Sequence, residues 1–380
     1  MKTFLQPLQN LAEMEEIQKQ AKKNCGILEI SGCMESQKAH LMYGLSGLFP
    51  CHLVIAADEK SAKELYEDYR FYDKRVYYYP AKDLLFFQAD IHGNLLIRQR
   101  MQVIRALLER EDEITVVTSI DGCMDYLAPL EKIEKQLIHF RNDSTLDMDK
   151  LTAALVHMGY ERVGQVEMPG QFSIRGGIID IYSLTEENPW RIELWGDEID
   201  SIRSFDAQSQ RSLENLDDVT IYPAAEQPME KNGVLFLDYF KETETLFFLD
   251  ELNHLEENAK AVQEEFQQSC ENRKEKGEIS LSGDWMCTWE ELCHKINDRN
   301  CVAMSLLDPK KSNWKISGQF NITVKSMSSY QSSFELLVKD LKQYKKEGYQ
   351  IVLLSGSRTR AERLAKDLQE EGLNAFYGQD

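Results

Sequence analysis

The chain has 380 residues, of which 42% are hydrophobic and 28% are charged, a composition typical of a globular protein with two or three domains. Its formal net charge of −20 disfavours extended contact with nucleic acid, because phosphate binding requires positive potential. No apolar run approaches the ~20 residues of a membrane span, the amino terminus has no signal-peptide core, and the eight cysteines contain no Cys-x-x-Cys pair. We therefore expect a cytoplasmic protein without membrane contact, metal site or cofactor.

The first segment of the chain alternates short apolar runs with helical patterns. The apolar runs predict strands at 27–30, 53–57, 76–80 and 114–118, and an amphipathic pattern predicts a long helix at 94–111. Strands and helices that alternate in this way are typical of a parallel sheet with helices on its faces.

Short strands dominate the next segment, from about residue 163 to residue 223. They are predicted at 164–167, 171–175, 177–182, 190–195, 199–205 and 219–222. The glycines, the Asn-Pro pair and the Gly-Asp pair between them are typical of turns, which predicts a small, mostly antiparallel domain. A helix predicted at 146–158, with Ser144 or Thr145 as its N-cap, leads into this domain.

An α/β pattern returns after residue 223. A buried strand is predicted to end in Asp250 and Glu251, and a long polar helix follows it. The β-rich segment is therefore interpreted as an insertion within one α/β domain.

The residues from 321 onward predict the start of one more α/β domain. Helices are predicted at 334–347 and 358–371, with a strand at 351–355 between them. Because a half-built parallel sheet would expose its edge, we expect the chain to be a piece of a longer protein. The predicted domains are an α/β domain in two parts, an inserted β-rich domain and a further α/β domain, with bounds 1–145 and 226–320, 146–225, and 321–380.

A strand-to-helix turn near residue 32 lies where a phosphate loop would be. A working loop reads G-x-x-x-x-G-K-[ST], in which the second glycine lets the backbone wrap the phosphates and the hydroxyl binds magnesium. Here the motif begins at Gly32 and keeps Lys38, but Gln37 replaces the second glycine and Ala39 replaces the hydroxyl residue. Both losses predict that the loop no longer functions.

Two acids far downstream support descent from an ATPase. Asp250 and Glu251 end an apolar strand, as the metal-binding acids of such enzymes do. We therefore predict a degenerate P-loop domain of the RecA or helicase type, with no catalytic residues and no ATP hydrolysis. A surviving ATPase is the alternative.

The segment from residue 151 to residue 225 contains five arginines and no lysine. Alternation along the predicted strand 190–195 places Arg191, Glu193 and Trp195 on one face and the two aliphatic residues between them on the core face. Arg175 ends a nearby predicted strand. Arginine and tryptophan are the residue types of interface hot spots, but a solvated face with surface salt bridges is the interpretation that the pattern alone favours.

A family resemblance is carried by the same segment. It rests on GQFSIRGGIIDIY at 170–182, WRIELW at 190–195, IDSIRSFD at 199–206 and SQRSL at 209–213. These runs resemble the insertion domain shared by the excision-repair protein UvrB and the transcription-repair coupling factors (Mfd), and the last two resemble the coupling factors more. The stretch 78–98 also resembles Mfd and is too short to hold the aromatic hairpin with which UvrB grips DNA.

The resemblance implies a site and its partner. The amino-terminal module of that family is a degenerate ATPase domain with a UvrA-binding domain inserted into it. Its UvrA contacts carry over to Arg175, Arg191 and Trp195, with Glu193 as a fourth, and the family often has phenylalanine at Trp195. Residues from about 320 onward resemble the linker-like domain that follows.

The resemblance also implies a function. The chain is expected to be the UvrA-recruiting module in transcription-coupled nucleotide excision repair, binding UvrA by mimicking UvrB. The parent is expected to be an ATP-dependent DNA translocase that engages RNA polymerase and DNA through other regions, and whose carboxy-terminal domain covers the UvrA-binding surface. The alternative is a UvrB-like ATPase or a protein that binds damaged DNA.

Overall fold

The computed structural model describes residues 2–23, 26–82, 94–111, 113–226, 233–276, 285–307, 314–325, 327, 330 and 333–378. Its strands are β1 Gly26–Ser31, β2 Cys51–Ala56, β3 Val76–Tyr79, β4 Ile114–Ser119, β5 Ile138–Arg141, β6 Glu161–Arg162, β7 Gln171–Arg175, β8 Ile178–Ile181, β9 Trp190–Trp195, β10 Glu198–Phe205, β11 Ser212–Leu216, β12 Asp218–Ile221, β13 Thr245–Asp250, β14 Asn300–Ser305 and β15 Ile316–Asn321. Its helices are α1 Lys2–Gln9, α2 Met14–Lys23, α3 Glu35–Ser46, α4 Glu59–Tyr69, α5 Asn94–Glu109, α6 Leu130–Glu134, α7 Met148–His157, α8 Leu252–Glu275, α9 Trp289–Asn297, α10 Phe334–Lys346 and α11 Arg358–Glu370. Among the described residues, no helix is both long enough and apolar enough to cross a membrane.

Seven parallel strands form the larger sheet, in the order β15-β1-β14-β13-β2-β4-β3. β13 follows the β-rich segment along the chain, yet it lies between β14 and β2 in the middle of this sheet. The residues before and after the β-rich segment therefore build one sheet. The predicted fold class, a parallel α/β sheet with an inserted, mostly antiparallel β-rich domain, is confirmed.

Helices cover both faces of the larger sheet, and side chains along β13 alternate between the two resulting cores. Leu246 and Phe248 pack with buried residues of α2, α3 and α4. Phe247 and Leu249 pack on the opposite side with buried residues of α5, α8 and α9. All residues of β13 are buried, as expected for a strand covered on both faces.

The inserted β-rich domain, from β5 to β12, has a second sheet in the order β11-β10-β9-β8-β7-β6. Its strands pair antiparallel except for β6 and β7, while β5 and β12 form a separate antiparallel pair. Leu151 and Leu155 of α7 belong to the same hydrophobic core as Phe172 and Ile192 of the sheet. One sheet face is thus buried, and we call the opposite one the outer face.

The start of α7 differs from the prediction. Its N-cap is Asp147, whose carboxylate accepts a hydrogen bond from the backbone N–H of Lys150 at 3.1 Å. The predicted caps, Ser144 and Thr145, are engaged elsewhere, because the carbonyl of Ser144 accepts from the backbone N–H of Ile199 at 2.9 Å. The predicted cap is wrong because the pairing of Ser144 with Ile199 depends on the fold of the whole domain.

Two predicted strands, 164–167 and 351–355, are not strands in the structure. The carbonyl of Gly164 accepts a hydrogen bond from the Ser173 hydroxyl at 3.0 Å, so this segment is held by a side chain. The four apolar residues from 351 to 354 are each between 38% and 50% exposed. A predicted segment becomes a strand only when a neighbour completes its backbone hydrogen bonds, and neither segment pairs with a strand among the described residues.

Helix α5 fixes the inserted domain to the larger sheet domain. Arg100 of α5 is fully buried and donates from Nε to Glu226, just after β12, at 2.6 Å, and from Nη1 to the carbonyl of Pro80 at 2.8 Å. Arg105, further along the same helix, forms an ion pair with Glu186 of the inserted domain. These contacts join the inserted domain to α5.

Candidate interaction face and degenerate nucleotide site

The outer face of the inserted domain brings together residues from neighbouring strands. β8 places Asp180 opposite Arg191 of β9, and Arg191 lies opposite Arg203 of β10. Arg175 ends β7, and a tight turn connects it to β8. Arg175 and Arg191 therefore reach Asp180 from the two strands that flank it.

Asp180 is the shared acceptor of both arginines, and its side chain is 1% exposed. Oδ1 accepts from Arg191 Nε at 2.7 Å, while Oδ2 accepts from Arg191 Nη2 at 2.9 Å and from Arg175 Nη2 at 2.8 Å. The hydrogen bond to Asp180 raises the pKa of Arg191. Two cations thus share one anion, which leaves this cluster with a positive charge.

The predicted contact residues differ in their exposure. Trp195 is 83% exposed, the Arg175 side chain is 49% exposed and the Arg191 side chain is 16% exposed. The Arg191 guanidinium lies 4.4 Å from the ring centroid of Phe205 and donates to Gln210 Oε1 at 3.0 Å. Arg175 and Trp195 therefore offer most of the surface that a partner could reach.

Glu193, the fourth predicted contact residue, is engaged within the sheet. Its carboxylate accepts hydrogen bonds from Arg203 and from the Ser201 hydroxyl, both on β10. The Glu193 side chain is 31% exposed. Its charge is offset by Arg203, so the positive charge of the neighbouring cluster is not cancelled by it.

Trp195 lies at the end of β9, where the chain turns into β10. The turn includes Gly196, whose φ of +64° is a backbone conformation that residues other than glycine rarely adopt. The backbone N–H of Leu146 donates to the carbonyl of Asp197 at 2.7 Å, which ties the turn to the chain before α7. The backbone that carries Trp195 is therefore held in place, while its side chain is 83% exposed.

The sequence interpretation did not identify Asp180 and Gln210 as site residues. The position of Asp180 between two isoleucines of a predicted strand could have indicated a paired charge, because a buried carboxylate requires a cationic partner. Its pairing with Arg191 depends on strand register, which the sequence does not show. Gln210 gave no signal, because its contact with Arg191 depends on its φ of +59°.

The chain packs closely against Gly32, where the phosphate-loop motif begins. Gly32 has a φ of +80°, and a Cβ at this position would collide with the backbone carbonyl of Ile322. Ile322, directly after β15, donates its N–H to the carbonyl of Ser31 at 2.9 Å. Ala39 is fully buried in the core beside α3, and Gln37 Oε1 is buried without a hydrogen-bond partner among the described residues.

Lys38 is bound by the two acids that a nucleotide-binding protein would use to hold magnesium. Its Nζ lies 2.6 Å from Asp250 Oδ1 and 2.7 Å from Glu251 Oε1, and its side chain is 4% exposed. Burial opposes its charge, but the attraction and hydrogen bonds of the two carboxylates raise the pKa of Lys38. Glu251 Oε1 also accepts from the N–H of Leu306 at 2.9 Å. The lysine and the acids therefore satisfy one another.

Comparison with known proteins identifies relatives of this chain. Residues 138–226 match the family model of the UvrB interaction domain. Over 91% of its length the chain is 28% identical to the transcription-repair-coupling factor of Bacillus subtilis, of which it covers 35%. Over 40% of its length it is 37% identical to that of Staphylococcus haemolyticus, covering 13% of that protein, and over 78% it is 24% identical to that of Staphylococcus epidermidis, covering 30%.

These matches confirm the resemblance to the amino-terminal, UvrB-like module of transcription-repair coupling factors. The chain spans at most 35% of the length of these relatives. The matched segment, 138–226, contains all the residues of the outer face described above. The stretch 78–98, predicted to lack a DNA-gripping hairpin, includes 83–93, which lie outside the described residues.

Proposed function

We propose that this chain recruits UvrA in transcription-coupled nucleotide excision repair, and that it binds UvrA by mimicking UvrB. The observation that carries the proposal is the cluster on the outer face in which Arg175 and Arg191 share the buried Asp180, beside the exposed Trp195. The similarity of residues 138–226 to the UvrB interaction domain supports the choice of partner.

The chemistry of the outer face favours a protein partner over nucleic acid. Arginine and tryptophan are the residues that most often dominate the energetics of protein interfaces. The cluster around Asp180 holds a small local positive charge within a chain whose net charge is −20. Such a charge distribution can pair with a few carboxylates of a protein but repels an extended phosphate backbone.

We further propose that the chain hydrolyses no ATP. Lys38 is held by Asp250 and Glu251, and the hydroxyl that would bind magnesium is absent at Ala39. Binding of a nucleotide phosphate to Lys38 would have to break two short ion pairs. Nucleotide binding at this position is therefore opposed by the charge pairing of Lys38.

We also propose interactions for a longer parent protein that contains this chain. There we expect other regions to engage RNA polymerase and DNA in the cytoplasm, and a carboxy-terminal domain to cover the outer face until polymerase is engaged. The chain by itself then binds UvrA without activation.

Calorimetric titration of the chain into purified UvrA tests this function. We expect micromolar or tighter binding, weakened by about 30-fold or more in the Arg175→Ala/Trp195→Ala variant, because each anchor contributes ~1–3 kcal/mol. Arg162→Ala is the matched control, since Arg162 is an exposed arginine on the edge strand β6. Excess UvrB should displace the wild-type chain. Equal binding by the double variant and the wild type would show that the outer face is not the UvrA-binding surface.

A further inference from the structure

We infer that Asp180 is a positioning residue that holds Arg175 in its binding conformation, and that Arg191 acts through Asp180 instead of touching the partner. The effect on UvrA affinity rests on the proposed function, whereas the effect on Arg175 concerns the chain alone. Arg175 and Arg191 thus have different roles, although both belong to the same predicted contact surface.

The Asp180 carboxylate is buried, so its charge requires cationic partners. Its side chain is 1% exposed, and its strand neighbours Ile179 and Ile181 are fully buried. The carboxylate accepts hydrogen bonds from Arg175 and from both Nε and Nη2 of Arg191. A buried carboxylate held by charge-assisted bonds from two sides has a fixed position and fixes its donors in turn.

Most of the Arg191 side chain is engaged in contacts within the domain. Its Nε and Nη2 supply three hydrogen bonds, two to Asp180 and one to Gln210, out of the five N–H groups of a guanidinium. The guanidinium lies over the buried ring of Phe205, and the side chain is 16% exposed. Little of Arg191 is thus available to a partner.

Gln210 completes this support from the turn between β10 and β11. Its amide Nε2 donates to the carbonyls of Ala207 at 2.8 Å and Val166 at 3.3 Å, which orients its Oε1 towards Arg191. Its backbone has a φ of +59°, a conformation that is uncommon for residues other than glycine. The turn therefore holds Gln210, Gln210 and Asp180 hold Arg191, and Asp180 holds Arg175.

Arg175 is the exposed end of this chain of contacts. Its side chain is 49% exposed, and Nη2 is bonded to Asp180 at 2.8 Å. An arginine that is ordered before binding loses less conformational freedom in the complex than a mobile one. Asp180 thereby raises the affinity that Arg175 provides without making a contact of its own.

The first experiment measures ¹⁵N relaxation of the arginine Nε–H groups in the isolated chain. Asp180→Asn should lower the order parameter of Arg175 towards that of the exposed Arg162, while the backbone amide spectrum of the domain is retained. If Asp180→Asn disturbs the fold, the wild-type chain provides the test, because the order parameter of Arg175 should then exceed that of the exposed Arg162, and equal values overturn the inference. An unchanged Arg175 order parameter in a folded variant overturns the inference.

The second experiment is a double-mutant cycle in UvrA binding. Asp180→Asn should weaken binding about tenfold in the wild-type background but less than about twofold in the Arg175→Ala background, because its effect passes through Arg175. Trp195→Ala should weaken binding by the same factor with and without Asp180→Asn. A purely structural role would instead give equal losses in both Arg175 backgrounds, and that result overturns the inference.

The two proposals fail in different ways. A wild-type chain that does not bind UvrA removes the proposed function, while the relaxation measurement still decides whether Asp180 orders Arg175. A wild-type chain that binds UvrA as tightly as its Asp180→Asn variant leaves the function in place and removes the positioning of Arg175 by Asp180.

Discussion

Lys38 and Asp250 are 212 residues apart in the sequence, yet the lysine ammonium lies 2.6 Å from the aspartate Oδ1. Their side chains are 4% and 8% exposed, and Glu251 provides a second carboxylate 2.7 Å from the same ammonium. In a nucleotide-binding protein, the lysine at this position contacts phosphate and the acid holds magnesium. Here the same residues form a buried ion pair that fastens α3 to the end of β13.

We expect Lys38→Met to lower the free energy of unfolding by roughly 3–5 kcal/mol, because two carboxylates then lose their shared counter-charge in a buried place. Urea unfolding followed by circular dichroism measures the change. Lys60→Met is the matched control, since Lys60 is 85% exposed and pairs with Glu64 at 3.8 Å, an arrangement that contributes less than about 1 kcal/mol. Equal losses for the two variants would contradict the structural role of Lys38.

Restoring the sequence of the phosphate loop should not restore ATPase activity. The Gln37→Gly/Ala39→Thr variant regains the motif, but Lys38 remains bound to Asp250 and Glu251. We therefore expect no phosphate release above that of the wild-type chain and no saturable binding of a fluorescent ATP analogue. ATP turnover by this variant, lost again on Lys38→Met, would show that the ion pair opens for nucleotide.

The features that the sequence predicted are those carried by local patterns. The alternation of strands and helices predicts the parallel sheet, and the change to short strands with glycine turns predicts the inserted domain. Period-two alternation places Arg191 and Trp195 on the outer face, as the structure shows. Loss of a glycine and a hydroxyl within eight residues is equally local, so the proposal of an inactive phosphate loop also rests on a local pattern.

The features that could not be predicted depend on which segments meet in space. Asp180 receives Arg175 and Arg191 only because of the register of three strands, and Gln210 reaches the cluster from a turn. Strand β15 was not predicted, because only alternate residues of this edge strand are partly buried and its sequence lacks a strong apolar run. Such contacts follow from tertiary structure and leave little trace in composition or periodicity.

The two arginines bonded to Asp180 should differ in their effect on stability. Arg191→Ala removes two of the three arginine hydrogen bonds to a carboxylate that is 1% exposed, so we expect a loss of roughly 2–4 kcal/mol. Arg175 is 49% exposed and solvent screens its pair, so Arg175→Ala should cost less than about 1 kcal/mol. Thermal unfolding of both variants provides the measurement. The reverse order would mean that Arg175 supports the domain and Arg191 does not.

A second buried charge cluster makes the junction between the inserted domain and α5 sensitive to pH. Arg100 is fully buried and lies between Glu226, at 2.6 Å from its Nε, and Asp125, at 3.9 Å from its Nη2. Burial raises the pKa of Asp125 to about 7, although Arg100 and Lys82 oppose the rise. Burial also acts to raise the pKa of Glu226, but the charges of Arg100 and Lys82 outweigh it and lower this pKa to about 2. Glu226 therefore stays ionised when Asp125 titrates.

The pKa of Asp125 determines the sign of a pH effect on folding. Its ordinary pKa is 3.8, so between about pH 4 and pH 7 the unfolded chain releases a proton that the folded chain keeps. The stabilisation provided by this protonation is complete below pH 4 and is lost as the pH rises towards 7, by roughly 3–5 kcal/mol. An Asp125→Asn variant carries an amide that does not titrate. The difference in unfolding free energy between wild type and variant should therefore fall over this range and be constant above it, as urea titrations at several pH values can measure. A difference that does not change between pH 4 and pH 7 would show that Asp125 is ionised in the folded chain and that Arg100 is paired with both carboxylates.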